Sequence, residues 1–233
     1  MNRAMYAAAS GMAAQQQNLD VIASNLANAD VAGFKGAQLS FASLGELGAA
    51  ATGVTHAFDQ GKLMKTGGAF DLAIDGPGFF AVERGGEHGF TRAGSFSRAA
   101  DGSLRNADGW ELRGLRIPAN AAAVGVDPDG TVRVDGKAIV GRIPLVRFDA
   151  PERLRALGSA TFVATQASGA AHAQVAGGDR QPKIAFGMLE RSNVSIIEAM
   201  MQILAAQRAY EANAKGVQAA DEMLRIANNL HRS

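Results

Sequence analysis

The chain has 233 residues, 47% of them hydrophobic, which is enough to bury the core of one or two domains. Its 23 basic and 22 acidic residues give a net charge of +1 without a Lys- and Arg-rich cluster, which argues against nucleic acid or an anionic membrane as a general partner. Cysteine is absent, which excludes disulfides, thiolate catalysis and cysteine-ligated metals.

The first predicted element is a helix from Asn2 to about Asn28. Gly11 weakens an isolated helix by about 1 kcal/mol relative to Ala, so the pattern predicts a partner helix. A seven-residue apolar repeat indicates a narrow seam toward that partner. The repeat and its companion row contain Met5, Met12, Leu19, Leu26 and Ile22. The segment has neither the basic start nor the continuous apolar run of a cleavable signal peptide, and no stretch of the chain reaches the length of a membrane span.

Residues 31–65 are rich in Gly, Ala and Ser and are predicted to form a connecting arm with little core of its own. Residues 66–190 follow as an all-β domain, because short alternating stretches such as Thr131–Val134 are separated by Asp-Gly turn signals. Gly76-Pro-Gly78 is predicted to be the turn between two strands. The other predicted strands are Phe70–Ile74, Phe79–Val82, Ile143–Phe148 and Thr161–Ala164.

The last predicted element is a long helix from about Ser195 to Leu230, with Ser195 and Glu198 as a capping box. About 35 residues at 1.5 Å each give a length of roughly 50 Å, beyond an ordinary globular helix. Small residues, mostly Ala, lie three positions after the large ones and would allow a neighbouring helix to approach closely. The large residues again recur every seven positions: Ile196, Ile203, Tyr210, Val217 and Leu224.

Together these elements predict an α+β fold, in which long N- and C-terminal helices pair as a coiled-coil-like segment beside a central all-β domain. Its parts are a helix in residues 1–30, an arm in 31–65, the β domain in 66–190 and a helix in 191–233. The alternative is an ordinary α+β domain whose terminal helices pack on its own sheet, although such helices usually show a broader apolar face.

The sequence has no strong catalytic, phosphate-binding or metal-binding motif. No catalytic, cofactor-binding or metal-binding residue is therefore predicted, and the chain is not expected to be an enzyme. The four histidines lie far apart without metal-ligand spacing and are expected to be solvated or in loops. Asp127-Pro-Asp129-Gly130 lacks the ligands of a calcium loop and is better explained as a type I turn. Residues Gly76–Gly78 have no following helix to form a phosphate site.

Several segments closely match sequence motifs of one known family. They occur in the same order as in that family and together span nearly the whole chain. They are Gln16–Asn28, Ala32–Lys35, Gln60–Leu63, Asp71–Phe80, Phe90–Phe96, Glu190–Val194 and Gln207–Lys215. The chain closely resembles bacterial flagellar basal-body rod and hook proteins. Residues matching the family's motifs, and therefore implied to shape the helix exit or to lie on the inner helix, are Asn25, Leu26, Asn28, Gly33, Phe34, Asn193, Gln207, Arg208, Tyr210 and Glu211.

The resemblance implies a rod subunit whose terminal helices pack with those of other copies into an inner tube around the export channel. The β domain would form the outer wall, and the rod would transmit torque to the hook. Implied partners are other copies, other rod proteins, hook and ring components, and the flagellar type III export apparatus. Export without a cleaved signal would place the protein in the periplasmic rod. The compact arm favours the proximal-rod type, with the distal-rod type open.

A competing hypothesis is a binding module, in which the β domain recognises cell-wall glycan or a ring partner and the helices only oligomerise. A glycan site usually needs exposed aromatic side chains, and Trp110 is the only tryptophan. A secreted hydrolase is a third hypothesis, without any catalytic pattern to support it.

Overall fold

The computed structural model describes residues 2–43, 49–136, 138–178 and 181–230. The chain divides into two compact units. The helical unit comprises Met1–Ala27, Ala37–Thr55 and Val194–Ser233, and the β unit comprises Asn28–Gly36 and His56–Asn193. Each unit is therefore built from segments that are distant in sequence.

The helical unit contains two long helices and a two-stranded sheet. Its elements are α1 (Asn2–Ala27), β1 (Ala37–Ser43), β2 (Ala49–His56, which ends at the first residue of the β unit's second segment) and α2 (Ile196–Leu230). The predicted cap begins α2, since the backbone N–H of Glu198 donates to Ser195 Oγ at 3.4 Å. Both helices match the predicted bounds, whereas β1 and β2 lie in the arm, where the sequence predicted no strands.

The β unit is formed by sixteen short strands in its described residues, and the pairs between them are antiparallel. Their bounds are β3 (Leu63–Lys65), β4 (Leu72–Asp75), β5 (Phe79–Arg84), β6 (Glu87–Thr91), β7 (Ser97–Arg98), β8 (Ser103–Arg105), β9 (Glu111–Arg116), β10 (Val124–Val126), β11 (Thr131–Val134), β12 (Ala138–Arg142), β13 (Leu145–Arg147), β14 (Arg155–Ala156), β15 (Thr161–Val163), β16 (His172–Gln174), β17 (Lys183–Phe186) and β18 (Met188–Glu190). A 3-10 helix, Pro151–Arg153, precedes β14.

The main sheet of the β unit has the order β14-β15-β6-β5-β9-β8-β7, with β13 also pairing β5 and β16 pairing β13. A three-stranded sheet has the order β10-β11-β12. Two further pairs, β17 with β4 and β18 with β3, join the end of the unit to its beginning. Strands near the two ends of the unit's sequence therefore close it.

The predicted turns are present where glycine supplies a backbone conformation that other residues rarely adopt. Gly76 and Gly78, between β4 and β5, have φ of 115° and 132°. In the turn before β11, the N–H of Gly130 donates to the carbonyl of Asp127 at 2.9 Å, which closes a β-turn at the predicted position. Local turn chemistry was thus readable from the sequence.

The core of the β unit is a large apolar cluster that includes fully buried Trp110 and Phe80, next to a second cluster of aromatic rings. In the second cluster, Phe58 meets Phe79 and Phe162 edge to face, with ring centroids 5.1 and 4.9 Å apart. The chain is α+β, as predicted, with two terminal helices and a mostly β centre. Neither described helix combines the length and apolarity needed to cross a bilayer.

Candidate assembly surface and buried charge cluster

In the helical unit, α1 and α2 pack against each other and run in opposite directions. A Cβ added at Gly11 would lie 2.9 Å from Nδ2 of Asn213, so the two residues face each other. Farther along α1, Ile22 lines the same groove as Gln202 of α2. The small residue at position 11 therefore allows the side chain of Asn213 to approach the backbone of α1 closely.

The buried row of residues on α2 consists of small side chains. Ala206 and Ala220 lie seven residues on either side of Asn213 and are 4% and 7% exposed. On α1, Ala14 and Ile22 are buried. The tightly packed side of α2 is thus its alanine row, and the large residues three positions earlier are half-buried or exposed.

A groove of about 510 Å³ lies within the helical unit between α1, β1 and α2. Amide side chains, including Gln15 and Gln202, alternate along it with apolar residues such as Leu39. The side-chain oxygen of Gln15 is buried there and has no hydrogen-bond partner among the described residues.

The opposite side of α2 exposes apolar side chains near its start. Ile197, Met201 and Leu204 are spaced i, i+4 and i+7 and therefore share one face. They are 75%, 64% and 56% exposed, and Met200 beside them is 53% exposed. Leu204 lies two residues, about 200° around the helix, from buried Ala206. We call these four residues the outer patch.

The predicted interface residues occupy different environments. Ile22 and Asn25 are buried; Met5, Met12, Leu19, Leu26, Asn28, Ile203 and Val217 are half-buried; Ile196, Gln207, Arg208, Tyr210 and Glu211 are exposed; the side chain of Leu224 lies outside the described residues. In the described part of α2, an i,i+3 ion pair joins Arg225 to Glu222 at 2.8 Å.

Asn25 fixes the start of β1 to the last turns of α1. Its Nδ2 donates to the carbonyl of Ala37 at 2.7 Å, and the N–H of Ala37 donates to its Oδ1 at 2.8 Å. One amide side chain thereby satisfies both backbone groups of Ala37, as a neighbouring strand would. These two hydrogen bonds tie the exit of α1 to the first residue of β1.

The β unit contains a buried charge cluster of Lys35, Arg92 and Glu190. Lys35 Nζ lies 2.7 Å from Glu190 Oε1, and both side chains are fully buried. Arg92, 3% exposed, places Nε 3.1 Å from Glu190 Oε2, a charge contact without hydrogen-bond alignment. The N–H of Gly61 also donates to Glu190 Oε1 at 2.9 Å. Burial lowers the pKa of both Lys35 and Arg92, and the charge of Glu190 opposes that change.

Backbone carbonyl groups accept further hydrogen bonds from the side chains of Lys35 and Arg92. Lys35 Nζ donates to the carbonyl of Asp59 at 2.6 Å. Arg92 Nη1 donates to the carbonyls of Gly76 and Gly78 at 2.8 and 3.0 Å, which holds the turn between β4 and β5. The cluster therefore ties several separate chain segments of the β unit together.

Asn193 forms a second clamp close to the cluster. Its Oδ1 accepts from the N–H of Gly36 at 2.8 Å, while its Nδ2 donates to the carbonyls of Ala57 and Asp59 at 2.7 and 3.2 Å. Gly33 adopts φ of 69°, and a Cβ there would lie 2.3 Å from the backbone N of Ala93. The amide of Asn193 thus holds together the backbone at Gly36, Ala57 and Asp59, and Gly33 allows its segment to pass close to the backbone of Ala93.

The described residues give little support for a metal-binding or glycan-binding site. They contain no group of three His, Asp or Glu side chains placed to hold a metal ion. Trp110, the aromatic residue considered for glycan recognition, is 1% exposed, and its ring is covered by the guanidinium of Arg84 at 4.6 Å. It is therefore not an exposed stacking surface.

Three family models match successive parts of the chain. Residues 5–35 match "Flagella basal body rod protein", residues 73–134 match "Flagellar hook protein FlgE/F/G D1 domain", and residues 186–230 match "Flagellar basal body rod FlgEFG protein C-terminal". Flagellar basal-body rod protein FlgG of Borreliella burgdorferi is 36% identical over 264 aligned residues, covering 100% of both chains. The chain belongs to the flagellar basal-body rod protein family.

Further rod proteins align over nearly their whole length. FlgG of Caulobacter vibrioides is 35% identical, with 98% of this chain and 99% of the relative covered. FlgF of the same organism is 32% identical, with 97% of each chain covered. Accordingly, the protein is a structural subunit of the flagellar basal-body rod and not an enzyme.

The rod-family motifs include residues whose roles the sequence did not reveal. Lys35 and Glu190 lie in two of the segments that carry the resemblance, 155 residues apart, and they form the buried ion pair. Asn193, which the resemblance implied to shape the helix exit or to lie on the inner helix, lies just before α2 and binds the backbone of Gly36, Ala57 and Asp59. The available signal was a lysine in the segment Ala32–Lys35 and a glutamate in the segment Glu190–Val194, but the sequence did not indicate that the two side chains pair.

His56 of this rod protein, expected to be solvated or in a loop, is instead the last residue of β2. It is half-buried, its ring meets Phe162 edge to face at 5.1 Å, and its Nδ1 lies 3.2 Å from the carbonyl of Lys35. Burial lowers its pKa from the ordinary value of 6.5.

This shift predicts acid sensitivity of the β unit. Between the lowered pKa of His56 and 6.5, the unfolded chain binds more protons, so the free energy of unfolding should fall as the pH falls through this window. The unfolding midpoint should be lower at pH 5 than at pH 7.5, and His56→Gln should reduce that difference. Exposed His88→Gln serves as the control, and an unchanged pH dependence in His56→Gln would contradict the prediction.

Proposed function

We propose that this rod subunit polymerises through α1 and α2, which pair as a coiled-coil-like element and pack with the helices of other copies into an inner tube. The interface would include the seven-residue rows of both helices, from Met5 to Leu26 and from Ile196 to Leu224. The same helices, α1 and α2, already pack against each other in one subunit.

The observation that carries this proposal is the outer patch. Ile197, Met200, Met201 and Leu204 are more than half exposed on a long helix whose opposite side is already covered. Contiguous exposed apolar residues usually mark an interaction surface, and covering them contributes about 25 cal/mol per Å². Identical neighbouring subunits are the partner that a rod supplies at every position.

The rest of the proposal follows the family. The tube would enclose the export channel, the β unit would form its outer wall, and the rod would transmit torque to the hook. Partners would be other rod proteins, hook and ring components, and the type III export apparatus. The subunit would reach the periplasmic rod without a cleaved signal, and its compact arm favours the proximal-rod type.

Replacing Leu204 with Glu tests the interface. In a flagellated strain that lacks this gene, the variant should give roughly tenfold fewer hook-bearing basal bodies than the wild type and little swimming, because a charge would be buried between subunits. The purified variant should unfold at the same temperature as the wild type, since Leu204 is 56% exposed. Electron microscopy of basal bodies and swimming in soft agar measure the effect.

Ile139→Glu is the matched control, because Ile139 is 62% exposed in the β unit. It should restore assembly as well as the wild type. If Leu204→Glu assembled and swam as well as Ile139→Glu, polymerisation through this side of α2 would be excluded. In the strain without the gene, the segment at which the basal body stops would distinguish the proximal-rod from the distal-rod type.

A further inference from the structure

Two adjacent methionines lie in the outer patch. Met200 is 53% exposed and Met201 is 64% exposed. The chain has no cysteine, so methionine thioethers are its only sulfur groups. Two oxidisable side chains are therefore exposed to solvent on the side of α2 that should be covered in the rod.

Peroxides react directly with such exposed thioethers. The sulfur attacks one peroxide oxygen, the O–O bond breaks, an S–O bond forms, and water leaves after proton transfer. The sulfur loses two electrons and the peroxide gains them. The product, methionine sulfoxide, is a polar side chain in place of a flexible apolar one.

We propose that Met200 and Met201 are a peroxide-sensitive modification site, whose oxidation in the unassembled subunit blocks its incorporation into the rod. This inference rests on the proposed function, since the outer patch must be covered by a neighbouring subunit. A sulfoxide dipole at such a contact would be buried without a hydrogen-bond partner, which opposes assembly. In the free subunit the same sulfoxide remains in water, so folding should be unaffected.

Substitutions at Met200 and Met201 distinguish the effect of a polar side chain from the effect of losing methionine itself. M200L/M201L keeps apolar side chains of similar volume, which methionine sites tolerate well. M200Q/M201Q introduces a polar group of similar length that imitates the sulfoxide. In the strain that lacks this gene, the Leu pair should assemble as the wild type does, while the Gln pair should give roughly tenfold fewer hook-bearing basal bodies.

Met64→Gln is the matched control, because Met64 is 46% exposed on β3 of the β unit. It should assemble normally, and the melting temperature of each purified variant should equal that of the wild type. Normal assembly of M200Q/M201Q would overturn the inference, as would an equal defect in M64Q. Failure of Leu204→Glu to impair assembly would instead contradict the proposed function itself.

Hydrogen peroxide provides the direct test. In the purified wild-type chain, peptide mapping by mass spectrometry should find sulfoxide at Met200 and Met201 sooner than at half-buried Met12. Peroxide added while expression is induced should reduce basal-body numbers more strongly in wild-type cells than in M200L/M201L cells. Equal peroxide sensitivity of the two strains, or slower oxidation of Met200 and Met201 than of Met12, would refute the inference.

Discussion

Replacing Glu190 with Gln is expected to lower the free energy of unfolding of the β unit by about 3–5 kcal/mol, because it removes the carboxylate that neutralises two buried cations. Lys35 and Arg92 are 0% and 3% exposed, so neither can reach water without opening the surrounding strands. Urea unfolding followed by tryptophan fluorescence measures the change, since Trp110 is buried in the same unit.

The effect should depend on charge and not only on packing. Adding Lys35→Met to Glu190→Gln should cost less than the sum of the two single changes, because the double variant no longer leaves Lys35 as an unpaired cation. Glu83→Gln is the surface control: Glu83 lies 3.6 Å from Arg113, both are 46% exposed, and the change should stay within about 0.5 kcal/mol. A loss below 1 kcal/mol in Glu190→Gln would contradict the assigned role.

Gly94→Ala is expected to destabilise the β unit by at least about 3 kcal/mol, or to prevent its folding, because the added methyl group has no space. A Cβ at Gly94 would lie 1.6 Å from the carbonyl oxygen of Leu72 and 2.6 Å from its carbon. These are backbone atoms and cannot rotate away as a side chain would. The N–H of Leu72 also donates to the Gly94 carbonyl at 3.0 Å, so separating the two segments would break that bond.

Gly125→Ala is the matched comparison for this change. Gly125 lies in β10 of the same unit, and a Cβ added there meets no atom within 4 Å. Its unfolding midpoint in urea should remain close to that of the wild type. Similar midpoints for Gly94→Ala and Gly125→Ala would show that the backbone near Leu72 adjusts, and the steric argument would then be wrong.

The sequence predicted the parts of the fold that local chemistry determines. The helices could be placed because their periodicity extends over many turns and because Ser195 provides a cap for α2. The Asp-Gly turns could be placed because each needs only a few adjacent residues, as the Gly130 to Asp127 hydrogen bond shows. These features do not depend on knowing which distant segments meet.

The features that the sequence did not predict depend on contacts between segments that are distant in the chain. Strands β1 and β2 are rich in Ala, Ser and Thr, so no alternating apolar pattern distinguishes them from an arm. Periodicity identified two candidate rows on α2 but not which one faces α1, a choice that involves the fit of Asn213 against Gly11. Likewise, no local rule places the ring of His56 on Phe162.

The buried bond between Lys35 and Glu190 also sets an order of events during folding. Its two members are 155 residues apart, and β3 and β4 likewise find their partners only in β18 and β17. Such distant pairings form late and slowly. The pairing of Lys35, β3 and β4 can therefore be completed only when the chain as far as residue 190 is available, so closure of the β unit is a late step in its folding.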